Sequence, residues 1–301
     1  MNKKRKNPNM EQYEVETNAE LLPFLISVIE SKSRNAVKSI LTRGQVYVNG
    51  DNITKHNFPL SKGDIVAIQT NKASKAATFI NMNILYEDEA IIVIEKGAGL
   101  LSIASAKEKS HTAYKQLMDY VKKINPKNRI FIVHRLDQDT SGVMLFAKTE
   151  EVKQQLQNNW KNIVKERTYI ALVEGRLKQT KGTVKSWLKE NKAYKMYSSM
   201  KPNDGKLAIT HYQVIKSNQE FSLLSVQLET GRKNQIRAHM EDLGHPIVGD
   251  KKYGSEQNPI ARLGLHAKVI AFRHPVTKEF LRFESKVPKV FLNVKRPDKF
   301  R

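Results

Sequence analysis

The sequence predicts an α+β protein: a mixed, mainly antiparallel sheet flanked by helices, preceded by a small N-terminal α/β domain. Three observations carry that expectation. From about residue 80 onward the chain is a long run of short apolar–polar segments that read as strands, with a few periodic stretches that read as helices. Strands and helices do not alternate regularly, which argues against a doubly wound parallel sheet. Residues 13–70 carry two helical patterns and two strand patterns of their own, enough for a compact unit.

The elements follow in order. Residues 1–12, beginning MNKKRKNPNM, are polar, basic and aperiodic, and read as a disordered arm that touches phosphates without specificity. Leu21, Leu22, Phe24, Leu25, Val28 and Ile29 fall at helical spacing. Ser33 sits where a helix N-cap sits, ahead of a second helix with Val37, Ile40 and Leu41 on one face, and Gly44 is its stop. QVYVNG, residues 45–50, alternates like a strand and ends in the turn dipeptide Asn49-Gly50. A second strand, Asp64 to Ile68, follows the Lys62-Gly63 turn. Residues 71–79, small and polar, read as a linker to a domain spanning 80–301. In that domain strands are expected over Ala90–Ile94, Val143–Ala147, Thr168–Val173, Ile209–Ile215, Phe221–Leu228 and Val269–Phe272. Helices are expected over Ala113–Ile124 and Glu151–Asn158. No internal repeat is present.

The 301 residues suffice for one large domain and a small one, and the 40% hydrophobic content marks a globular chain. Lysine and arginine number 52 against 30 acids, a net charge of +22. A surplus of that size points to a polyanion, with nucleic acid ahead of an acidic membrane surface or a merely solvated lysine-rich exterior. The chain has no cysteine, which excludes disulfides, cysteine-ligated metals and cysteine nucleophiles. No apolar run approaches the roughly 18 residues that span a bilayer, and no apolar segment follows the basic N-terminus. A soluble cytoplasmic protein with no membrane partner is therefore expected, a monomer in the simplest case.

Lys32, Arg34, Lys38 and Arg43 fall on or beside the second helix, at spacings that place several on one face. A cationic face opposite an apolar one suits phosphate backbones, and equally an ordinary solvated surface. The run SRNAVKSILTRGQVYVNG, followed by LSKGDIV, resembles the alpha-L RNA-binding motif, with Ser33-Arg34, Val46, Val48-Asn49-Gly50 and Gly63-Asp64 matching. The resemblance covers about residues 18–70 and implies RNA docking, with Arg34, Lys38 and Arg43 as contacts.

The strongest local pattern is IVHRLDQDTSGVMLFAKT, residues 132–149. An apolar lead-in reaches His134-Arg135-Leu136-Asp137, a polar turn follows, and then a strand enters the core. Asp137 is thus placed at a sharp turn, where a carboxylate can act as nucleophile or base, or simply cap the turn with Asp139, Thr140 and Ser141. The run resembles the signature of the RluA-type pseudouridine synthases, H-R-L-D-x-x-T-S-G followed by apolar residues and A-K. The resemblance implies the pseudouridine synthase fold and makes Asp137 the essential residue.

Further segments extend it over nearly all of the chain after residue 80. KERTYIALVEG, 165–175, resembles the family strand that bears an active-site tyrosine, here Tyr169. LETGRKNQIRAHMEDLGHPIVGDKKYG, 228–254, resembles a second signature, whose Arg237 the family implies to pair with Asp137. GKLAITHYQVI, 205–215, and RLGLHA, 262–267, with the later His-Pro, match further strands. YEDEAIIVIEKGAGL, 86–100, matches the opening strand and loop. Two positions depart: Glu95-Lys96-Gly97 stands where the family usually has Asn-Lys-Pro, and Asn234 where it has histidine.

Tyr169 can stack on a uracil ring, move a proton, or fill the core. Arg135 can intrude into an RNA helix or grip a phosphate, and Arg232 belongs with the RNA contacts. His134, His239, His245 and His266 read as structural, without metal-ligand spacing. No G-x-x-x-x-G-K-[ST] loop or G-x-G-x-x-G fingerprint is present, and the implied isomerisation calls for no cofactor and no metal. The resemblance implies a synthase acting on structured RNA, large-subunit ribosomal RNA first and transfer RNA second. A non-catalytic RNA-binding or ribosome-assembly protein would fit the charge as well, but retention of Asp137, Tyr169 and Arg237 speaks against it.

Overall fold

The computed structural model describes residues 10–29, 34–42, 44–69, 79–106 and 108–294. The chain divides into two compact units, residues 1–78 with 120–128 and residues 79–119 with 129–301.

In the first unit β1 (Met10–Glu14) and β2 (Ala19–Glu20) precede α1 (Leu21–Val28) and α2 (Arg34–Thr42), and β3 (Val46–Val48), β4 (Asp51–Asn52), β5 (Pro59–Leu60) and β6 (Ile65–Gln69) follow. The main sheet runs β1-β6-β3-β4, antiparallel throughout, and β2 pairs with β5. Leu21 and Leu25 of α1, Val37 and Leu41 of α2, and Val46, Val48, Val66 and Ile68 of the sheet share one core. Asn49 and Gly50 both have positive φ, as the mirror-image hairpin turn between β3 and β4 requires. The Asn49 side chain also ties this turn to the next strand, donating to Asp64 and accepting from the Ile65 amide.

One expectation is corrected: residues 10–12 belong to β1 and not to a disordered arm. MEQYE has no apolar alternation of its own. It is ordered by a five-residue ladder to β6, a long-range pairing that local pattern does not reveal. Ser33, Arg43 and residues 71–78 of the expected linker lie outside the described residues.

The second unit opens with β7 (Met82–Glu87) and β8 (Ile91–Lys96). The helix α3 (Ala113–Ile124) begins in it, at the bounds its periodicity predicts. Then come β9 (Phe131–Ile132), β10 (Ser141–Ala147), α4 (Glu150–Asn158), α5 (Trp160–Ile163), β11 (Val164–Glu174), β12 (Lys181–Glu190), β13 (Met196–Ser199), β14 (Lys206–Ser217), β15 (Phe221–Leu228), α6 (Gln235–Asp242), a 3-10 turn at Lys251–Tyr253, β16 (Leu265–Arg273), β17 (Phe280–Glu284) and α7 (Lys289–Leu292). Thr149 caps α4 by accepting from the Val152 amide.

The strands form one sheet in the order β13-β12-β14-β15-β11-β16-β10-β8-β7, with β17 beside β16 and β9 beside β10. Every pairing is antiparallel except β10 with β16, so the fold is the mixed, mainly antiparallel α+β arrangement the sequence predicts. Val152 and Leu156 of α4 pack with Val93, Val143, Leu145 and Phe272. Ile236 and Met240 of α6 pack with Ala171, Val173, Leu224, Val226 and Leu265.

The parallel contact between β10 and β16 is brief: Ser141 faces His266 and Gly142 faces Ala267. Gly142 has φ +119, and a Cβ there would lie 2.0 Å from the Ala267 carbonyl oxygen. Only glycine lets the two strands approach this closely. Gly142→Ala is therefore expected to cost about 3 kcal/mol or more in thermal unfolding. Gly99→Ala, also at positive φ but with open space around it, should cost only about 1 kcal/mol. Equal losses in the two variants would refute the close-approach explanation.

Candidate active site

The link from β9 to β10 carries His134 to Thr140. It is fastened by the end of β8 and the segment that follows it. Lys96, fully buried, donates from Nζ to the carbonyls of Gly97 (2.9 Å), Leu100 (2.6 Å) and Gln138 (2.9 Å). Gly99 N–H donates to the Gln138 carbonyl at 3.0 Å, and the Ser102 hydroxyl donates to the Leu136 carbonyl at 2.6 Å. The polar backbone on both sides of Asp137 is thus satisfied from one direction, and its own turn is closed by Thr140 N–H on the Asp137 carbonyl. Burial pushes the Lys96 ammonium down to about 8, against the opposing pull of the Asp139 and Asp137 carboxylates.

The departures acquire a physical meaning here. Gly97 N–H donates to the Asn81 carbonyl at 2.8 Å, a bond that proline could not make, and the Asn81 side chain occupies the space a Cβ on Gly97 would need. Asn234 has φ +51 at the start of α6, a left-handed conformation that asparagine tolerates. Its Oδ1 accepts from Arg237 at 3.2 Å and its Nδ2 donates to the Tyr253 hydroxyl at 3.2 Å.

Arg237, on the first turns of α6, reaches Asp137. Its Nη1 donates to Asp137 Oδ2 at 3.2 Å, while Nε and Nη2 form a fork on Asp250 at 2.6 and 2.8 Å. The guanidinium also lies 4.8 Å from the Tyr253 ring centre. Burial disfavours its charge, but the hydrogen bonds and charge of Asp250, then of Asp137, outweigh that and hold its pKa above the ordinary arginine value. Asp137 is 36% exposed at its side chain, and no described residue bonds its Oδ1. The result is an oriented carboxylate with one oxygen open to a cleft.

Two connected spaces meet at Asp137. A narrow chamber of about 70 Å³ is lined by Asp137, Tyr169, Leu228, Ile236, Arg237 and Leu265, among others. A wide cleft of about 770 Å³ shares Arg135, Asp137, Tyr169, Arg232 and Asn234 with it and runs on to Trp160 and Lys161. Tyr169 sits on β11 at an irregularity in the pairing with β16. Burial pushes its phenol up to about 12, Arg167 opposing and Asp137 adding, so the hydroxyl is protonated at neutral pH. Arg135 is exposed at the rim, and Arg232 is half spent on the Leu207 carbonyl at 2.9 Å.

The four histidines singled out in the sequence hold the framework. His134 Nε2 accepts from the Leu145 amide, and burial and then Arg167 push its pKa down to about 4. His239 bonds Ser186 and Thr210, His245 the Glu174 carbonyl, and His266 the Ser141 hydroxyl. Ser141 thus turns away from the Asp137 turn it was expected to cap, and also receives Arg262 at 2.7 Å.

The structure brings Asp137, Tyr169, Arg237, Arg135 and Arg232 to one place. Arg34 and Lys38 lie on α2 of the other unit, and Arg43 lies outside the described residues. Sequence reasoning missed Lys96, Asp250, Tyr253 and Arg167, which spans to the Leu228 and Glu229 carbonyls. Asp250 and Tyr253 were within the second signature, but nothing in their spacing marked them as the partners of Arg237.

The geometry is thus a carboxylate held by arginine in a cleft that further arginines line. Comparison with known proteins gives its class. Residues 90–242 match the family described as RNA pseudouridylate synthase. An uncharacterized RNA pseudouridine synthase of Bacillus subtilis (strain 168) is 34% identical over 249 residues, 81% of this chain and 87% of that protein. Ribosomal large subunit pseudouridine synthase D of Vibrio cholerae serotype O1 is 34% identical over 273 residues, 85% of this chain and 84% of that protein. The solved structure of human RNA pseudouridylate synthase domain containing 4 superposes with a TM-score of 0.57 at 25% identity, covering 70% of this chain and 90% of that one. The chain belongs to the RNA pseudouridylate synthase family. It is an isomerase of uridines in RNA, as its RluA-type signatures imply.

The Lys96 clamp generates a prediction. Its folded pKa lies below the ordinary value of 10.5, so between about 8 and 10.5 the unfolded chain binds the extra proton and the stability this group contributes rises with pH. Lys96→Met should remove that pH-dependent limb and cost about 2–3 kcal/mol at pH 7 by stranding carbonyls. Chemical denaturation across pH 7–11 checks both. An unchanged stability profile would show that the clamp is idle.

Proposed function

We propose that this synthase isomerises uridines of large-subunit ribosomal RNA, with Asp137 as the essential carboxylate. The observation that supports the reading most directly is the contact of Arg237 with Asp137, which joins two signatures 100 residues apart in sequence. In the isomerisation the bond from the sugar to a ring nitrogen breaks, the uracil turns, and the same sugar carbon bonds a ring carbon. The proton on that carbon leaves and the nitrogen gains one, so the protein has only to supply a nucleophile or base and to hold the loose ring. Asp137 Oδ1, at the open side of an Arg237-held carboxylate, is suited to either task.

Tyr169 is proposed to lie against the uracil and, as a protonated phenol, to keep a proton near the ring as it turns. A base must leave its stack to reach this chamber, at a cost of a few kcal/mol. Arg135, at the rim, is proposed to stabilise the extruded state, and Arg232 to hold an adjoining phosphate. Arg34, Lys38 and Arg43 would dock the same RNA through an alpha-L type N-terminal domain. Ribosomal RNA is favoured over transfer RNA by the likeness to synthase D of Vibrio cholerae. The proposed protein is a monomer acting in the cytoplasm.

Two experiments follow. Asp137→Asn should abolish pseudouridine formation on cellular RNA, mapped by carbodiimide adducts, while leaving RNA affinity within about threefold. A variant that still isomerises uridine would refute the assignment. The double substitution Arg34→Ala with Lys38→Ala should weaken RNA binding and lower the slope of log affinity against log salt by about one to two. Equal slopes would remove α2 from the RNA interface.

A further inference from the structure

We propose that the junction of α4 and α5 is a reading site for the nucleotides next to the target uridine. The inference rests on the reading of the cleft as a uridine-modifying site. The narrow chamber at Asp137 and Arg237 accommodates the target base, yet the cleft continues far beyond it, several times larger in volume. Beyond the chamber its lining includes Asn158, Lys161 and Asn162 of the α4–α5 junction and Gly231 and Lys233 of the turn after β15.

The wall at the junction combines rigid anchoring with free polar groups. Gln157 donates to the carbonyls of Ile132 and Val133, at 3.1 and 3.3 Å, on the segment that leads to Asp137. The Trp160 ring packs 5.2 Å from the His134 ring, the first residue of the His-Arg-Leu-Asp run. These contacts fix the wall to the catalytic segment. The chain bends at Asn159, whose carbonyl accepts from the amides of both Asn162 and Ile163, so α4 stops and the following side chains line the cleft.

Asn158, Lys161 and Asn162 are exposed, and their side chains have no hydrogen-bond partner among the described residues. Each asparagine amide presents a donor and an acceptor together, the combination that meets the edge of an unpaired base. Lys161 supplies a charge for the phosphate between two such bases. Arg237, Asn234 and Gln235 in the chamber have no such freedom, because protein partners occupy their polar atoms. The geometry therefore assigns base reading beside the target to the α4–α5 junction, and chemistry to the chamber.

The test uses the full chain with total RNA from a strain lacking the protein. Ultraviolet crosslinking followed by mass spectrometry should place nucleotide adducts on residues 158–162. Asn158→Ala with Asn162→Ala should raise KM about tenfold with kcat within twofold, the loss of one to two base contacts. The pseudouridine map should also lose its preference at a flanking position. Lys161→Gln should lower the salt slope of binding by about one and keeps the proposal testable if the double variant does not fold. Unchanged KM and flanking preference in folded variants, or adducts confined to other segments, would overturn it. Adducts at 158–162 from a protein that makes no pseudouridine would uphold the RNA site and refute the synthase reading instead.

Discussion

One guanidinium shared between two carboxylates governs the architecture of this site. Arg237 gives its planar fork to Asp250, which is almost wholly buried, and only its remaining Nη1 to Asp137. The division is unequal for a physical reason. A buried carboxylate without a bidentate partner would carry a desolvation cost of several kcal/mol, so Asp250 takes the stronger geometry. Asp137 receives one longer bond and keeps an oxygen open to the cleft. Tyr253 lies against the guanidinium and Asn234 bonds it from the side, so Arg237 has little freedom to follow a substrate. The direction of Asp137 is in this way set by Asp250, a residue it never touches.

The second half of the constraint acts on the backbone. Asp137 sits on a short link with almost no regular structure, yet its flanking carbonyls are held by Lys96 and Ser102. The close passage of β10 and β16 at Gly142 fixes where that link enters the sheet. Buried lysine and close-packed glycine are both poor choices for stability alone. They are intelligible as the means by which two distant stretches of chain meet at a set distance. A looser link would leave Arg237 aimed at a carboxylate that wanders.

The legible parts of the sequence were those whose information is local. Phe221–Leu228 alternates and Ala113–Ile124 repeats at helical spacing, and both form the elements expected at those bounds. The helix α6 escaped notice because Gln235 and His239 look like surface residues. Both are buried, and the groups that satisfy them, Thr210, Thr230 and Ser186, come from β12, β14 and the turn after β15. β1 escaped for the same reason, since its order comes from β6. Asp137 itself stood out through its signature and not through its turn, which many capping aspartates share. Lys96 and Asp250 lie within matched segments, but nothing local marks their roles, which come from burial and from partners far along the chain. The two departures from the family pattern were visible, but their compensations were not. The Gly97 amide bonds Asn81, and the Asn234 amide links Arg237 to Tyr253.

The distinction between occupied and unoccupied polar groups bears on how such an enzyme chooses its uridines. On the α6 side of the chamber the polar groups are committed to other parts of the protein: Gln235 alone makes four such bonds, to Thr230, the Arg232 amide, the Ile209 carbonyl and Thr210. A group so committed can shape a pocket but cannot report which base lies beside it, since reading a base edge requires exchanging a hydrogen bond with water for one with the base. On the proposed reading, discrimination falls to side chains without a protein partner among the described residues, such as Asn158, Lys161 and Asn162 along the wide cleft. On that proposal preorganised chemistry and selective recognition draw on different residues of the fold, and the second set can vary without disturbing the first.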